Sequence, residues 1–312
     1  MIEIFHNPGY SFIGRRKWAY AASIVFMLIG LGSLGVKGLR YDIDFTGGTL
    51  VQVRFEQAPS VAAIRAGLAR IRMAESVIQE FGDAREFLVR LPLTSATSQE
   101  LGKQVESALA QETGLGRFEI RRVEFVGPQV GRELQLQAIY AVLFALAGML
   151  LYIAWSFKSL KGGVAAIVAV FHDVLVCLGA LSLTGRDFSL PVLAALLTII
   201  GYSVNDTIVA YDRLRENRGK YAPKGKTFAD QMNDAVNQTL SRTVLTALTT
   251  FFSAGVLLSF GGKTLEDFAF VLFVGVITGT YSTIYVAAAV VVDWTNYVEG
   301  RARRAKKAVA KA

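Results

Sequence analysis

The alternation of apolar and polar positions divides the chain into long apolar runs and one mixed segment. Residues 18–36 form the first run, 19 residues without a charge. Arg15, Arg16 and Lys17 precede it, and Trp18 and Tyr20 open it at the height where aromatic rings mark a membrane interface. Further runs cover 137–155, 162–184, 190–211, 243–260 and 268–292, each long enough to cross a bilayer as a helix. No small-x-small cleavage site cleanly follows the first run, so it reads as an uncleaved anchor rather than a signal peptide.

Between the first and second runs the period changes. Leu50, Val51, Val53 and Phe55 alternate as a strand over 49–56. Ser60 caps a helix running to about Met73, with Val61, Ile64, Leu68 and Ile71 on one face. Strands over 76–81 and 86–91 flank the turn pair Gly82-Asp83. A helix over 98–112 presents Leu101, Val105, Ala108 and Leu109 and stops at Gly114 and Gly116, and 118–126 is a last strand. Strand, helix, strand, strand, helix, strand suggests a ferredoxin-like split βαβ domain. Such a fold hosts many functions and names none.

The predicted fold class is therefore a polytopic α-helical membrane protein with six transmembrane helices and a ferredoxin-like α+β extracytoplasmic domain between helices 1 and 2. Its parts are a cytoplasmic N-terminus with helix 1 (1–37), the external domain (38–133), a five-helix remainder (134–296) carrying a cytoplasmic loop at 212–242, and a basic tail (297–312).

Composition agrees: 53% of residues are hydrophobic, 19% are charged, and mean hydropathy is +0.41. The net charge is +8, yet residues 37–133 hold 13 Lys/Arg against 13 Asp/Glu, so the excess lies beside the spans. Placed on one side, the clusters at 15–17, 158–161, 213–226, Arg242 and 301–311 put both termini in the cytoplasm by the positive-inside rule. They report topology and not nucleic-acid binding. The single Cys177 excludes an intrachain disulfide.

Candidate chemistry concentrates at the end of the fourth run. Asp206 stands within it, where a carboxylate costs roughly 2.5 to 3.5 kcal/mol and is a functional residue by default. Helical spacing lines it up with Asn205, Tyr202, Gly201 and Thr198. In the cytoplasmic connection, Thr227 to Asp230 matches a capping box, and Phe228, Met232, Ala235, Val236 and Leu240 repeat as an amphipathic interfacial helix that delivers Arg242 to the fifth span. Thr243, Thr246, Thr250 and Ser253 then form a hydroxyl stripe, and Gly275, Thr278, Gly279 and Ser282 mark the sixth span. Small and hydroxyl residues permit close helix packing and can also line a hydrated seam. His172 and Asp173, near the middle of the third run, form either a second relay or a pair satisfying each other.

At the external domain's start, Gly47 and Gly48 permit a tight turn that Asp44 or Thr46 could close onto backbone. A phosphate loop is not indicated, because no Lys-Ser/Thr follows, and no Gly-x-x-x-x-Gly-Lys-Ser/Thr run supports nucleotide hydrolysis. Asp173 and Asp206 in neighbouring spans raise an intramembrane aspartyl protease, but its Gly-x-Gly-Asp element is missing.

The centre Tyr202-Ser203-Val204-Asn205-Asp206, the turn Asp44-Phe45-Thr46-Gly47-Gly48-Thr49, the run Val123-Glu124-Phe125-Val126-Gly127-Pro128 and the pair His172-Asp173 together resemble the SecF family, in the same order over essentially the whole chain. The resemblance implies a six-span half of a resistance-nodulation-division type assembly in the bacterial inner membrane, completed by SecD. Such an assembly is an accessory transport unit rather than an enzyme, with protons as coupling ion and no other cofactor or metal. Its implied partners are the SecYEG channel, a translocating preprotein and the lipid bilayer, with YajC and YidC as further candidates. Asp206 and Arg242 match family positions implicated in proton conduction, with Asn205, Ser203, Asp173 and His172 beside them as relay candidates. Gly47, Gly48, Gly127 and Pro128, with Asp44 and Thr46, are expected to be structural. A buried carboxylate resists ionisation and a nearby guanidinium favours it, so relative motion of the two would couple proton affinity to conformation. A small-solute or lipid exporter of the same superfamily is the alternative, and a passive scaffold remains if Asp206 is only structural.

Overall fold

The computed structural model describes residue 5 and residues 8–92, 98–157, 160–220 and 225–309. Among these, six helices are long and apolar enough to cross a membrane. After a short 3-10 turn, Ile13–Arg15, helix α1 (Arg16–Lys37) leads to the segment between the first two spans. This contains β1 (Arg40–Tyr41), α2 (Ile43–Thr46), β2 (Gly48–Phe55), α3 (Val61–Ala69), β3 (Val77–Phe81), β4 (Asp83–Leu91), α4 (Ser98–Ala110) and β5 (Phe118–Val126). The chain continues through α5 (Pro128–Phe157), α6 (Leu160–Thr184), β6 (Asp187–Phe188), α7 (Leu190–Lys220), α8 (Phe228–Phe260), α9 (Lys263–Ser282), a π-turn at Thr283–Ala287, and α10 (Ala288–Val309).

Between the first two spans, four strands form one sheet in the order β3-β4-β2-β5, every pair antiparallel. Val51, Val53 and Phe55 point inward from β2 and join Phe87, Val89 and Leu91 of β4 under Ile64 and Leu68 of α3 and Leu101, Val105 and Leu109 of α4. Ser60 Oγ accepts from the Ala63 N–H at 3.2 Å, as its place before an apolar helix predicts. The helix stops at Ala69, short of Met73, because Arg72 turns to φ +59. Val61, expected on the buried face, is exposed.

Close approach organises the bundle. A Cβ on Gly179 of α6 would meet Gly30 Cα of α1 at 2.5 Å, and one on Gly275 of α9 would meet the Ile199 side chain of α7 at 2.4 Å. With no solvent-driven force between helices in lipid, such small-residue contacts let backbones pack. At the N-terminus, Asn233 and Asn237, one turn apart on α8, hold Tyr10: its N–H donates to Asn237 Oδ1 at 3.0 Å, and its carbonyl accepts from both amides. The predicted capping box is present, with Asp230 N–H on Thr227 Oγ1 and Thr227 N–H on Asp230 Oδ2.

One expectation fails here. Residues 228–240 are not a separate interfacial helix: they run unbroken into the fifth span as α8. Their apolar face, Met232, Ala235, Val236 and Leu240, is buried against Ile13, Tyr211, Leu214 and Ile284 rather than against lipid. The protein supplies the apolar surface that amphipathic spacing demands, so no bend is needed.

Candidate functional site

The buried polar side chains of α6, α7 and the sixth span meet at Asp173. It is 1% exposed and accepts three contacts: His172 Nδ1 at 3.0 Å on Oδ1, and the hydroxyls of Ser203 at 2.6 Å and Ser282 at 2.7 Å on Oδ2. A layer below, Thr207 and Thr283 hydroxyls lie 3.2 Å apart, and Thr283 also donates to the Ser203 carbonyl at 3.3 Å. Thr283 opens the π-turn, whose i to i−5 bond runs from Ala288 N–H to the Thr283 carbonyl. Such turns recur at functional sites. Tyr281, one turn before Tyr285, stacks near His172 at 5.9 Å and donates to the Ala19 carbonyl at 2.7 Å, tying α1 to the cluster.

Asp206 lies apart from this hub. Its side chain is 2% exposed, yet Oδ2 is buried with no hydrogen-bond partner among the described residues. Arg242 on α8 is close enough for its charge to act on Asp206 through space, but the two form no ion pair. Arg242 itself is exposed. Of the expected stripe, Thr198, Gly201 and Asn205 are exposed on α7, and a Cβ on Gly201 would meet nothing within 4 Å. Tyr202 is half-buried, and its hydroxyl has no hydrogen-bond partner among the described residues. The hydroxyls of Thr246, Thr250 and Ser253 bond carbonyls of their own helix, as these residues do in apolar surroundings.

The six relay candidates therefore divide. His172, Asp173 and Ser203 form one bonded group, Asp206 and Arg242 stand near each other without a bond between them, and Asn205 is exposed. Ser203 donates to Asp173 and not to Asp206, although its offset of three residues places it one helical turn from Asp206. Thr207 and Thr283 were not singled out in the sequence, although Thr207 stands four residues after Ser203 and Thr283 directly follows Ser282.

The double-glycine turn meets the bundle at the far end of α7. Gly47 and Gly48 have φ +70 and +137, and a Cβ on Gly48 would meet the Leu91 carbonyl at 2.8 Å. Thr46 closes the turn onto the carbonyls of Asp42 and Gly47, as expected. Asp44 does not: its Oδ2 accepts from the Leu190 N–H at 3.1 Å, at the start of α7. Pro128 takes the first position of α5 with Gly127 before it, where the Gly127 carbonyl accepts the first helical N–H, that of Gly131. Around the turn, Arg90 of β4 reaches Asp187 at 3.0 and 2.5 Å and Asp42 at 3.4 Å, while Arg186 holds Asp267 at 2.7 Å and Glu266 at 2.8 Å. β1 and β6 pair in parallel beside it, and Tyr41, Phe45 and Phe188 stack together.

Residues 104–297 match the family model described as protein export membrane protein SecD/SecF, C-terminal, and residues 32–59 match the SecD/SecF GG motif. The protein translocase subunit SecF of Desulfurispirillum indicum is 46% identical over 92% of this chain and 93% of its own. That of Pseudomonas aeruginosa is 42% identical, covering 92% and 91%. This chain belongs to the SecF family. It is a multi-pass membrane subunit of the protein-translocation machinery. The crystal structure of SecDF from Thermus thermophilus, described as a translocon-associated membrane protein, superposes on 93% of the chain at 42% identity with a TM-score of 0.81. The SecF-family chain spans 39% of that longer chain. A super-membrane-facing form of SecDF matches all of it at 41% identity and a TM-score of 0.69.

Proposed function

We propose that this SecF-family subunit works with SecD to use the proton gradient in moving preproteins through the SecYEG channel, with Asp206 and Arg242 as its proton-handling pair. The observation that carries the reading is the buried Asp206 oxygen left unpartnered while a guanidinium stands on the adjoining helix without bonding it. A carboxylate so placed retains capacity for a proton, a water or a cation brought by a partner. SecD is the partner that the exposed Thr198, Gly201 and Asn205 face would receive, since polar and small residues on an outward helix surface suit a second bundle better than lipid. Asn205 then acts from the interface, and Asp173, His172 and Ser203 hold α6, α7 and the sixth span in register.

The external domain is read as ferredoxin-like; its element order and the sheet order β3-β4-β2-β5 support this. With basic segments on one side, both termini are cytoplasmic and the membrane is the bacterial inner one. One charge crossing 100 mV releases about 2.3 kcal/mol, so a few protons suffice for a domain movement. That movement reaches the external domain by two routes, Gly127-Pro128 with α5, and the contacts of Asp44 and Arg90 with the start of α7. YajC and YidC are further partners in this reading.

The test is Asp206→Asn in inverted vesicles holding SecD and the channel. Proton-dependent preprotein export should be lost while the subunit still copurifies with SecD. Export that proceeds at the unchanged rate removes Asp206 from the mechanism.

A further inference from the structure

At the end of the bundle opposite the external domain, a cleft of about 590 Å³ opens between α6, α7, α8 and α10. Tyr211, Leu214, Arg215 and Arg218 line it from one face of α7, at offsets of three, four and seven residues. Val291, Thr295 and Glu299 line it from α10 at steps of four, Lys161 and Gly162 from the start of α6, and Phe228 from the start of α8. Gly162 has a local reason: a Cβ there would meet the Tyr211 ring at 3.2 Å.

The lining changes character along its depth. Tyr211 ends the apolar run of α7 and Val291 nearly ends that of the sixth span. Arg215 and Arg218 follow one and two turns on, roughly 6 and 10 Å farther at 1.5 Å per residue. The cleft thus straddles the level where the helices leave hydrocarbon for water. Its inner wall is Tyr211, Leu214 and Val291, and its outer rim holds three cations against the single carboxylate of Glu299. The central carbon of the Arg218 guanidinium lies 5.3 Å from the Phe228 ring centroid, and a planar guanidinium beside an aromatic ring is the kind of donor that suits phosphate oxygens.

We propose that this cleft binds the phosphodiester headgroup of an anionic phospholipid. Lys161, Arg215 and Arg218 hold the phosphate, Glu299 accepts from a headgroup hydroxyl, and Leu214 and Val291 lie along the glycerol and first acyl carbons. A free phosphate shares the cationic chemistry but has no use for an apolar inner wall or for this volume. Basic pockets between spans are the setting in which lipid headgroups are held. The lipid would tie α7, which carries Asp206, to α10 at the membrane surface.

The full-length chain, purified in mild detergent, is titrated with short-chain phosphatidylglycerol and with phosphatidylcholine, and bound lipid is counted by native mass spectrometry. Phosphatidylglycerol should bind preferentially, and Lys161→Gln with Arg218→Gln should weaken it about thirtyfold, from about a fivefold loss per cation. Arg213→Gln, on the same helix but outside the cleft, should leave it unchanged, and the charge-conserving pair Lys161→Arg with Arg218→Lys should retain most of it. That last variant also guards against misfolding of the glutamine pair. Equal retention of both lipids, or no loss in the glutamine pair, overturns the proposal. Competition by millimolar inorganic phosphate overturns the lipid assignment in favour of a soluble phosphate ligand.

Discussion

The Asp44 carboxylate accepts the Leu190 N–H at 3.1 Å, so a side chain from the segment between the first two spans caps the helix that carries Ser203 and Asp206. A capping acceptor satisfies one of the orphan donors at a helix start, and a negative charge there also meets the positive end of the dipole. Asp44→Ala should therefore cost about 1 kcal/mol, and Asp44→Asn, which keeps an acceptor, clearly less. Thermal unfolding of the purified subunit in detergent gives the order. Coincident midpoints for all three proteins would remove the cap from the link between domain and bundle.

Arg90 is the second such link and the more buried one, with side chains 13% and 9% exposed for Arg90 and Asp187. Deleting one partner of a buried pair leaves the other charge uncompensated, which costs about 3 to 5 kcal/mol. Arg40 stands 3.5 Å from Asp187 and takes up part of the charge, so Arg90→Gln should fall at the lower end. A double-mutant cycle with Asp187→Asn measures the coupling, and strictly additive losses would mean the two side chains do not act together.

Much of this architecture is legible in the sequence because it is periodic. Six apolar runs, the strand alternation of Val51, Val53 and Phe55, and the caps at Ser60 and Thr227 are local signals, and the structure places helices and strands within a few residues of them. What local pattern cannot carry is pairing at long separation. Arg90 with Asp187, Asp44 with Leu190, and Asn237 with Tyr10 lie 97, 146 and 227 positions apart, and nothing near any of them specifies the partner. The spacing puts Asp206 on one face of α7 with Thr198, Gly201 and Asn205, yet the structure buries Asp206 and exposes the other three. That difference between neighbouring residues is set by how α7 packs in the bundle and not by hydropathy.

Asp173 and Asp206 should respond differently to loss of charge. Asp173 accepts from His172, Ser203 and Ser282, three elements of the bundle held by one carboxylate. Asp173→Ala takes the acceptor from buried His172 and Ser203, while Ser282 can still donate to the Gly279 carbonyl, at about 1 to 3 kcal/mol for each group stranded. The variant should unfold at lower temperature and accumulate poorly, whereas Asp206→Asn, which breaks no bond among the described residues, should match the parent in both measures. A stable Asp173→Ala protein would show that the hub is not structural.

The glycine turn offers a separable contrast. Gly38 and Gly48 both have positive φ, but a Cβ on Gly38 meets nothing within 4 Å, while one on Gly48 meets the Leu91 carbonyl at 2.8 Å. Gly38→Ala should show conformational strain alone, about 1 kcal/mol, and Gly48→Ala that strain plus displacement of β4. Urea titration followed by limited proteolysis of the domain between the first two spans separates them, with Gly48→Ala cleaved first. Equal protection would mean β2 shifts freely relative to β4.

Asp42 supplies a pH signature outside the membrane. Burial raises its carboxyl above the ordinary 3.8, with Arg90 and the Ile43 N–H, which donates to Oδ1 at 2.8 Å, opposing that rise. A carboxyl raised on folding binds its proton more readily in the native state than in the unfolded chain. Its contribution to stability is then largest below the unfolded value and declines as pH rises through the folded one. The Ile43 amide resonance reports this titration directly, and its midpoint should lie above the ordinary carboxylate value. Arg90→Gln removes the main influence holding it down, so the midpoint should move higher still. A midpoint that drops in Arg90→Gln would show that Arg90 does not pair with Asp42, and that the 3.4 Å approach of the two side chains carries no electrostatic weight.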